Sequence, residues 1–168
     1  MRTSLPKSDF APAERVDSSV VERQKAALSE AAFLPALLDA MPLMVVVLNP
    51  SRQIVMCNKA FRDALPPEEA AAVLGRRPGE ALGCARSRET AGGCGTTRSC
   101  ARCGLLRAAL AALNGSPACE TCVLERSSGR RGLRAGVWAS PLAVGGEDFA
   151  VLVLAEPAAR GPRVRHAD

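Results

Sequence analysis

Six of the seven cysteines fall within one stretch, CARSRETAGGCGTTRSCARCGLLRAALAALNGSPACETC, from Cys84 to Cys122. Nine residues separate Cys84 from Cys94, five separate Cys94 from Cys100, and two separate Cys100 from Cys103. A second two-residue pair, Cys119 and Cys122, follows after fifteen intervening residues. Thiolates are soft ligands, and four of them suit zinc or an iron–sulfur cluster, whereas magnesium or calcium demands oxygen donors. The gap in Cys100-Ala101-Arg102-Cys103 lets both sulfurs face one ion while the backbone turns between them, and Gly104 relaxes the exit. By spacing alone, Cys100, Cys103, Cys119 and Cys122 form one candidate ligand set, two knuckles closing on a single metal. Cys84, Cys94, Cys100 and Cys103 form the other, all preceding the same helix. Unligated cysteines filling a core are the bland alternative, disfavoured by their density and paired spacing.

The surroundings favour anionic sulfur. Leu105, Leu106, Ala109, Leu110 and Leu113 recur at helical spacing, so a helix over 105–113 points its N-terminal amides back toward the cysteines. Arg86, Arg88, Arg98, Arg102 and Arg107 supply balancing charge. Two other residues have reactive side chains but read as structural or solvated. Cys57 ends a predicted strand and reads as a small buried hydrophobe. His166, the sole histidine, lies in the C-terminal tail and leaves no histidine in the domain to ligate haem or accept phosphate.

Around the cysteines the chain alternates turns with short elements. Residues 1–24, with Pro6, Pro12 and several serines, predict a flexible leader, and the apolar spacing after it predicts a lead-in helix over 25–42 that Pro35 interrupts or restarts. Leu43 to Leu48 and Gln53 to Cys57 predict a hairpin closed by Asn49-Pro50-Ser51. Asn58 then caps a short helix ended by Pro66-Pro67, and an Ala-rich helix follows from Glu68 to Leu74. Glu120 to Arg126, Gly132 to Leu142 and Phe149 to Leu154 predict three further strands, the last apolar on both faces. The arginine-rich end, 158–168, predicts a disordered tail.

At 168 residues the chain allows one domain with tails, and its 48% hydrophobic content is globular. Aromatic residues make up 3%, which argues against a stacking platform for nucleic acid. The net charge of +5 comes almost wholly from scattered arginine, not a basic block, so neither nucleic acid nor a membrane surface is an expected partner. No apolar run reaches the ~20 residues that span a bilayer, and no secretory signal opens the sequence. A cytoplasmic location is therefore expected. There a thiol cluster serves metal or redox chemistry more often than structural disulfides, and the odd cysteine count agrees. An enzyme is not expected: no Ser, His and acid constellation is available, and no Gly-rich phosphate loop follows a strand. Cys100 and Cys103 do not sit in the βαβ context of a thiol–disulfide oxidoreductase.

Leu37 to Leu65, LLDAMPLMVVVLNPSRQIVMCNKAFRDAL, resembles the opening of a PAS domain: lead-in helix, strand, turn, strand ending in Asn, then a helix with an Ala-Phe pair. Gly75 to Glu80 resembles the Gly-containing segment before the ligand-side helices of that family. Gly93 to Gly104, GCGTTRSCARCG, is similar to an element of a narrower PAS subgroup with a Cys-rich insertion. The resemblance implies an α+β fold with a five-stranded antiparallel sheet, helices on one face and an N-terminal lead-in helix. The PAS domain itself would span 43–157 with its Cys-rich segment at 84–122. It also implies a sensory module for redox state or oxygen that acts on a protein partner in trans, with a homodimer expected from the sheet surface. Because the resemblance covers Cys84, Cys94, Cys100 and Cys103, it puts that set first as ligands, with Cys119 and Cys122 as additional or alternative ones. Iron–sulfur and zinc both remain open, with a lean toward redox sensing that rests on the resemblance alone. The flavin-adduct string Asn-Cys-Arg-Phe of light-sensing PAS domains is absent, so photochemical flavin is not expected, and without a histidine in the domain neither is haem. The alternative function is a zinc-stabilised interaction module that pairs through the outer sheet face around Trp138.

Overall fold

The β-branched run before Asn49 folds as β1 (Met44–Leu48), and after a tight turn β2 (Ile54–Cys57) returns beside it. The computed structural model describes residues 6–30, 32–127, 129 and 131–156. Three later strands, β3 (Ala118–Leu124), β4 (Leu133–Val144) and β5 (Glu147–Ala155), complete a sheet in the order β2-β1-β5-β4-β3, each neighbouring pair antiparallel. β5 pairs on both sides, with β1 and β4, which explains why its sequence is apolar on both faces.

Period-two alternation divides the core. On the inner face, Met44, Val46, Leu48, Ala135, Val137, Leu152 and Leu154 pack beneath α3 (Lys59–Asp63), α4 (Pro67–Ala71), α5 (Pro78–Ala81) and α6 (Gly104–Leu113). Val45, Val47, Val55 and Phe149 point the other way. They meet Val21 and Leu28 of α1 (Ser18–Ser29) and Leu38 of α2 (Phe33–Asp39). Burial of a leucine such as Leu28 or Leu105 stabilises the fold by roughly 1.5–3 kcal/mol. Cys57 is buried in the inner cluster.

Asn58 joins several of these elements. Its Oδ1 accepts from Phe61 N at 3.1 Å, capping α3, and from Val45 N at 2.9 Å. Its amide donates to the carbonyls of Leu38, Met41 and Leu43, fixing the lead-in against the hairpin.

The N-terminal boundaries differ from expectation. The lead-in region starts earlier than 25, with α1 beginning at Ser18, and its interruption falls before Pro35, which sits in the first turn of α2, where its missing N–H costs little. Nor is the described part of the leader free. Residues 9–16 lie against the body, with Asp9 N donating to Thr96 O at 2.8 Å, Ala11 N to Gly95 O at 3.0 Å, and Ala11 and Ala13 buried. This strap binds through backbone and small side chains, a mode that a count of large apolar residues misses. The expected tail, 158–168, and His166 lie outside the described residues.

Candidate cysteine-lined site

Cys84, Cys94, Cys100 and Cys103 line one cavity of about 240 Å³, walled on its apolar side by Leu48, Leu105, Leu106, Ala109 and Leu124. Each arrives on a different piece of backbone. Cys84 follows α5 and is tied to the end of β3, where Ala85 N donates to Glu125 O and Ser127 N to Gly83 O, both at 2.9 Å. Cys94 lies over Gly79, where an added Cβ would stand 2.6 Å from Cys94 Sγ and 3.4 Å from Cys84 Cβ. The missing side chain therefore brings these two cysteines together. Cys100 sits in a 3-10 turn, Arg98–Arg102, with Thr97 Oγ1 at 3.2 Å from its sulfur.

Cys103 precedes α6 directly. A Cβ on Gly104 would stand 2.1 Å from Thr121 O, so glycine alone lets the helix start press against β3. That contact seats Cys103 beside Cys122, and the two thiols are hydrogen-bonded. Gly104 thus acts through close approach to a strand, in addition to the backbone freedom its place in the sequence implies.

Donors converge on the sulfurs. The amides of Arg86 and Ser87 point at Cys84, that of Gly79 at Cys94, and those of Leu105 and Leu106 at Cys103. At Cys103 the Cys122 thiol and the two amides outweigh burial and hold the pKa down at about 6. Cys122, donor in that bond and buried, is pushed well up. Burial also pushes Cys84 up, and burial together with the Glu80 carboxylate pushes Cys94 up to about 12. N–H groups aimed at sulfur favour thiolate, but at Cys84 and Cys94 burial wins unless a cation accompanies the charge.

Arginine completes the lining. Of the five arginines near the cysteines in sequence, Arg86 and Arg102 line the cavity, Arg107 pairs with Glu120 at 2.8 Å, Arg98 is 90% exposed, and Arg88 is also exposed. Two more distant in sequence matter more. Arg77 is fully buried: Nε donates to Ser51 O, Nη1 to Gly92 O and Cys94 O, and Nη2 to Pro12 O and Glu14 O. All five of its N–H groups are thereby used, and burial with Arg52 nearby lowers its pKa to about 10. Three residues on, Glu80 accepts from Arg77 N and Cys94 N, both at 3.0 Å, and pairs with Arg15. Burial pushes Glu80 up, but these donors prevail and hold it below its usual range. Glu80 closes the first turn of α5 by accepting from Arg77 N, but a guanidinium has no acceptor to return the bond, so no capping-box signature marks this pair in the sequence.

Arg52 carried no signal beyond its place after a turn. It has φ 63, a left-handed conformation that costs a non-glycine residue roughly 1–2 kcal/mol, and it is 4% exposed. Nη2 donates to Pro12 O, and Nε is buried without a hydrogen-bond partner. Its side chain lines the same cavity as the four cysteines.

The ligand set favoured by spacing is not brought together. Cys119 and Cys122 lie three apart in β3, so they face opposite sides of the sheet: Cys122 is fully buried and Cys119 exposed, opposite Trp138. A Cys-x-x-Cys pair in a strand cannot form a knuckle. No three Cys, His, Asp or Glu side chains among the described residues stand close enough to hold a single ion. The four thiols ring a volume instead of meeting at a point. Of the lining arginines, Arg77 spends every N–H on carbonyls and Arg86 pairs with Glu89 and Glu125, so Arg52 and Arg102 are left to balance a group with negative charge. The buried, unpaired Nε of Arg52 asks for an acceptor there. A zinc ion needs sulfurs at about 2.3 Å and would require the ring to contract, whereas a polynuclear iron–sulfur centre with thiolate ligands is larger and anionic.

No family model and no curated protein matches the chain. Solved structures do. A light-oxygen-voltage protein from Rhodobacter sphaeroides is 14% identical with TM-score 0.53, over 82% of this chain and 71% of that one. An RNA-binding light-oxygen-voltage receptor is 18% identical with TM-score 0.54, over 90% of this chain and 39% of the receptor. The PAS domain of a two-component sensor histidine kinase is 12% identical with TM-score 0.50, over 76% and 96%. At these identities the likeness concerns architecture: the fold is that of PAS domains.

Proposed function

We propose that the chain is a cytoplasmic sensory module of the PAS subgroup with a Cys-rich insertion. In this reading Cys84, Cys94, Cys100 and Cys103 hold an iron–sulfur cluster, and the module reports redox state or oxygen to a protein partner in trans. The observation that carries the reading is the convergence of these four cysteines on one arginine-lined cavity. An iron–sulfur cluster supplies one-electron chemistry and sensitivity to oxygen when bound. The chain's own residues do the rest. Gly79 and Gly104 permit the close approaches that seat the sulfurs. The amides of Gly79, Arg86, Ser87, Leu105 and Leu106 stabilise anionic sulfur, and hydrogen bonds of this kind tune a centre's potential. Arg77 and Glu80 lock the Cys94 loop in place.

A second reading is favoured by a different observation. On the outer face of β3 and β4, Val123 is 69% and Trp138 48% exposed, an apolar surface suited to a partner or a second copy. In a zinc-stabilised interaction module that surface would be the function and the metal only a staple. Anaerobic purification with elemental analysis and an absorption spectrum decides between them. Iron with acid-labile sulfide and a brown colour is expected for the sensor; one zinc in a colourless protein selects the interaction module.

A further inference from the structure

Among the buried cations, Arg52 alone in the cavity lining has a donor with no acceptor. Arg77 uses every N–H on carbonyl oxygens. Arg52 uses Nη2 on Pro12 O and leaves Nε buried and unmatched beside Gly95, whose added Cβ would stand 3.4 Å from it. The residue is held in a left-handed conformation that glycine would adopt without strain, yet it carries the longest cationic side chain. The same guanidinium touches the strap, and the strap is continuous with α1. Asp9 and Ala11 bond the backbone just after Cys94, and Ala11 packs with Cys100 and Leu106. Val16 N donates to Gln53 Oε1 at 2.8 Å, and α1 begins two residues later. One side chain therefore bridges the cysteine cavity and the segment leading into the N-terminal helix.

We infer that Arg52 is a positioning residue that couples the anionic centre held by the cysteines to the strap, its Nε–H donating to that centre while its Nη2 holds Pro12. The inference rests on the iron–sulfur reading. One electron taken from a reductant such as dithionite adds one unit of negative charge to the centre, the reductant losing the electron that the centre gains. The added charge draws the guanidinium inward and loosens its hold on Pro12, so the strap amides exchange faster in the reduced protein.

The test compares the full chain, anaerobically purified, as wild type, Arg52→Gln and Arg52→Lys. Three quantities are read: iron and sulfide content, midpoint potential by dithionite titration, and hydrogen exchange at the Asp9 and Ala11 amides in each oxidation state. Arg52→Gln is expected to keep iron while its reduction equilibrium falls about tenfold, roughly 59 mV for one electron, because the removed charge favours the reduced state. Its strap exchange should no longer depend on oxidation state. Arg52→Lys, which keeps the charge but not the two-armed geometry, should restore the potential and not the redox-dependent exchange. Should Arg52→Gln not fold, the lysine variant decides by the same two readouts. A cluster whose potential and redox-dependent exchange are the same in all three proteins overturns the inference and leaves the cluster reading standing. So does a wild type with a cluster but no redox dependence in its strap. A wild type without iron and sulfide overturns the reading, and the inference with it.

Discussion

The clearest residue-scale dependence is on hydrogens that stand where other residues carry a Cβ. Gly104→Ala places a methyl 2.1 Å from Thr121 O, backbone that cannot swing aside, so α6 must move off β3. We expect a loss of roughly 1–3 kcal/mol by urea unfolding, together with loss of metal as Cys103 leaves its place. Arg77→Met should cost more than ~3 kcal/mol, because five carbonyl oxygens from three separate segments lose a charged donor at once. Titration supplies another residue-scale test. Folding raises the pKa of Cys84, Cys94 and Cys122 from the ordinary value of 9.0. Groups with raised values contribute stability that is whole below their unfolded pKa and is lost as pH climbs. The metal-free, reduced protein should therefore weaken progressively above pH 9.0 toward 12, the value reached by Cys94. Urea midpoints at pH 8 and 10.5 check this, and a midpoint unchanged between them contradicts the burial of these thiols. Cys103, lowered to about 6, acts in the opposite sense, its contribution being lost as pH falls through 6.

Among the elements, legibility followed locality. Short apolar runs bounded by turn residues such as Asn49-Pro50-Ser51 mark all five strands within a few residues, and Asn58 announces the cap of α3. The sequence places β3 at Glu120 to Arg126, later by two residues than the observed Ala118–Leu124. That shift hid the fact that Cys119 and Cys122 lie within the strand and face apart. The strap is not legible in the sequence because much of its grip comes from carbonyl oxygens, which every sequence has, accepting from Arg52 and Arg77, forty or more positions away. The cysteine cluster was legible as a cluster, but not the contacts that seat it, since Gly79 and Gly104 matter through neighbours distant in sequence. Deleting residues 1–17 tests the element directly. Arg77 and Arg52 lose three hydrogen bonds to two carbonyls, Pro12 O and Glu14 O, and Ala11 loses its buried seat, so stability should drop by several kcal/mol by urea unfolding. A deletion with an unchanged midpoint would show the strap to be ornament.

On the scale of the molecule, the sheet is covered unevenly. α3–α6 close its inner face, and α1 and α2 cover the outer side of β1, β2 and β5, leaving β3 and β4 open around Trp138. That division separates two features in space, a cysteine-lined cavity within and an apolar surface without. Trp138→Ser should therefore leave metal content unchanged while reducing self-association in sedimentation velocity, if the open face pairs with a second copy. No helix among the described residues is long and apolar enough to cross a membrane.

The decisive measurement is iron and acid-labile sulfide in anaerobically purified protein, taken for wild type and for serine substitutions at each cysteine. A brown wild type that loses its iron in Cys84→Ser, Cys94→Ser, Cys100→Ser and Cys103→Ser, yet keeps it in Cys57→Ser and Cys119→Ser, is the expected result. Iron-free wild-type protein, or a cluster indifferent to Cys84→Ser and Cys94→Ser, contradicts it.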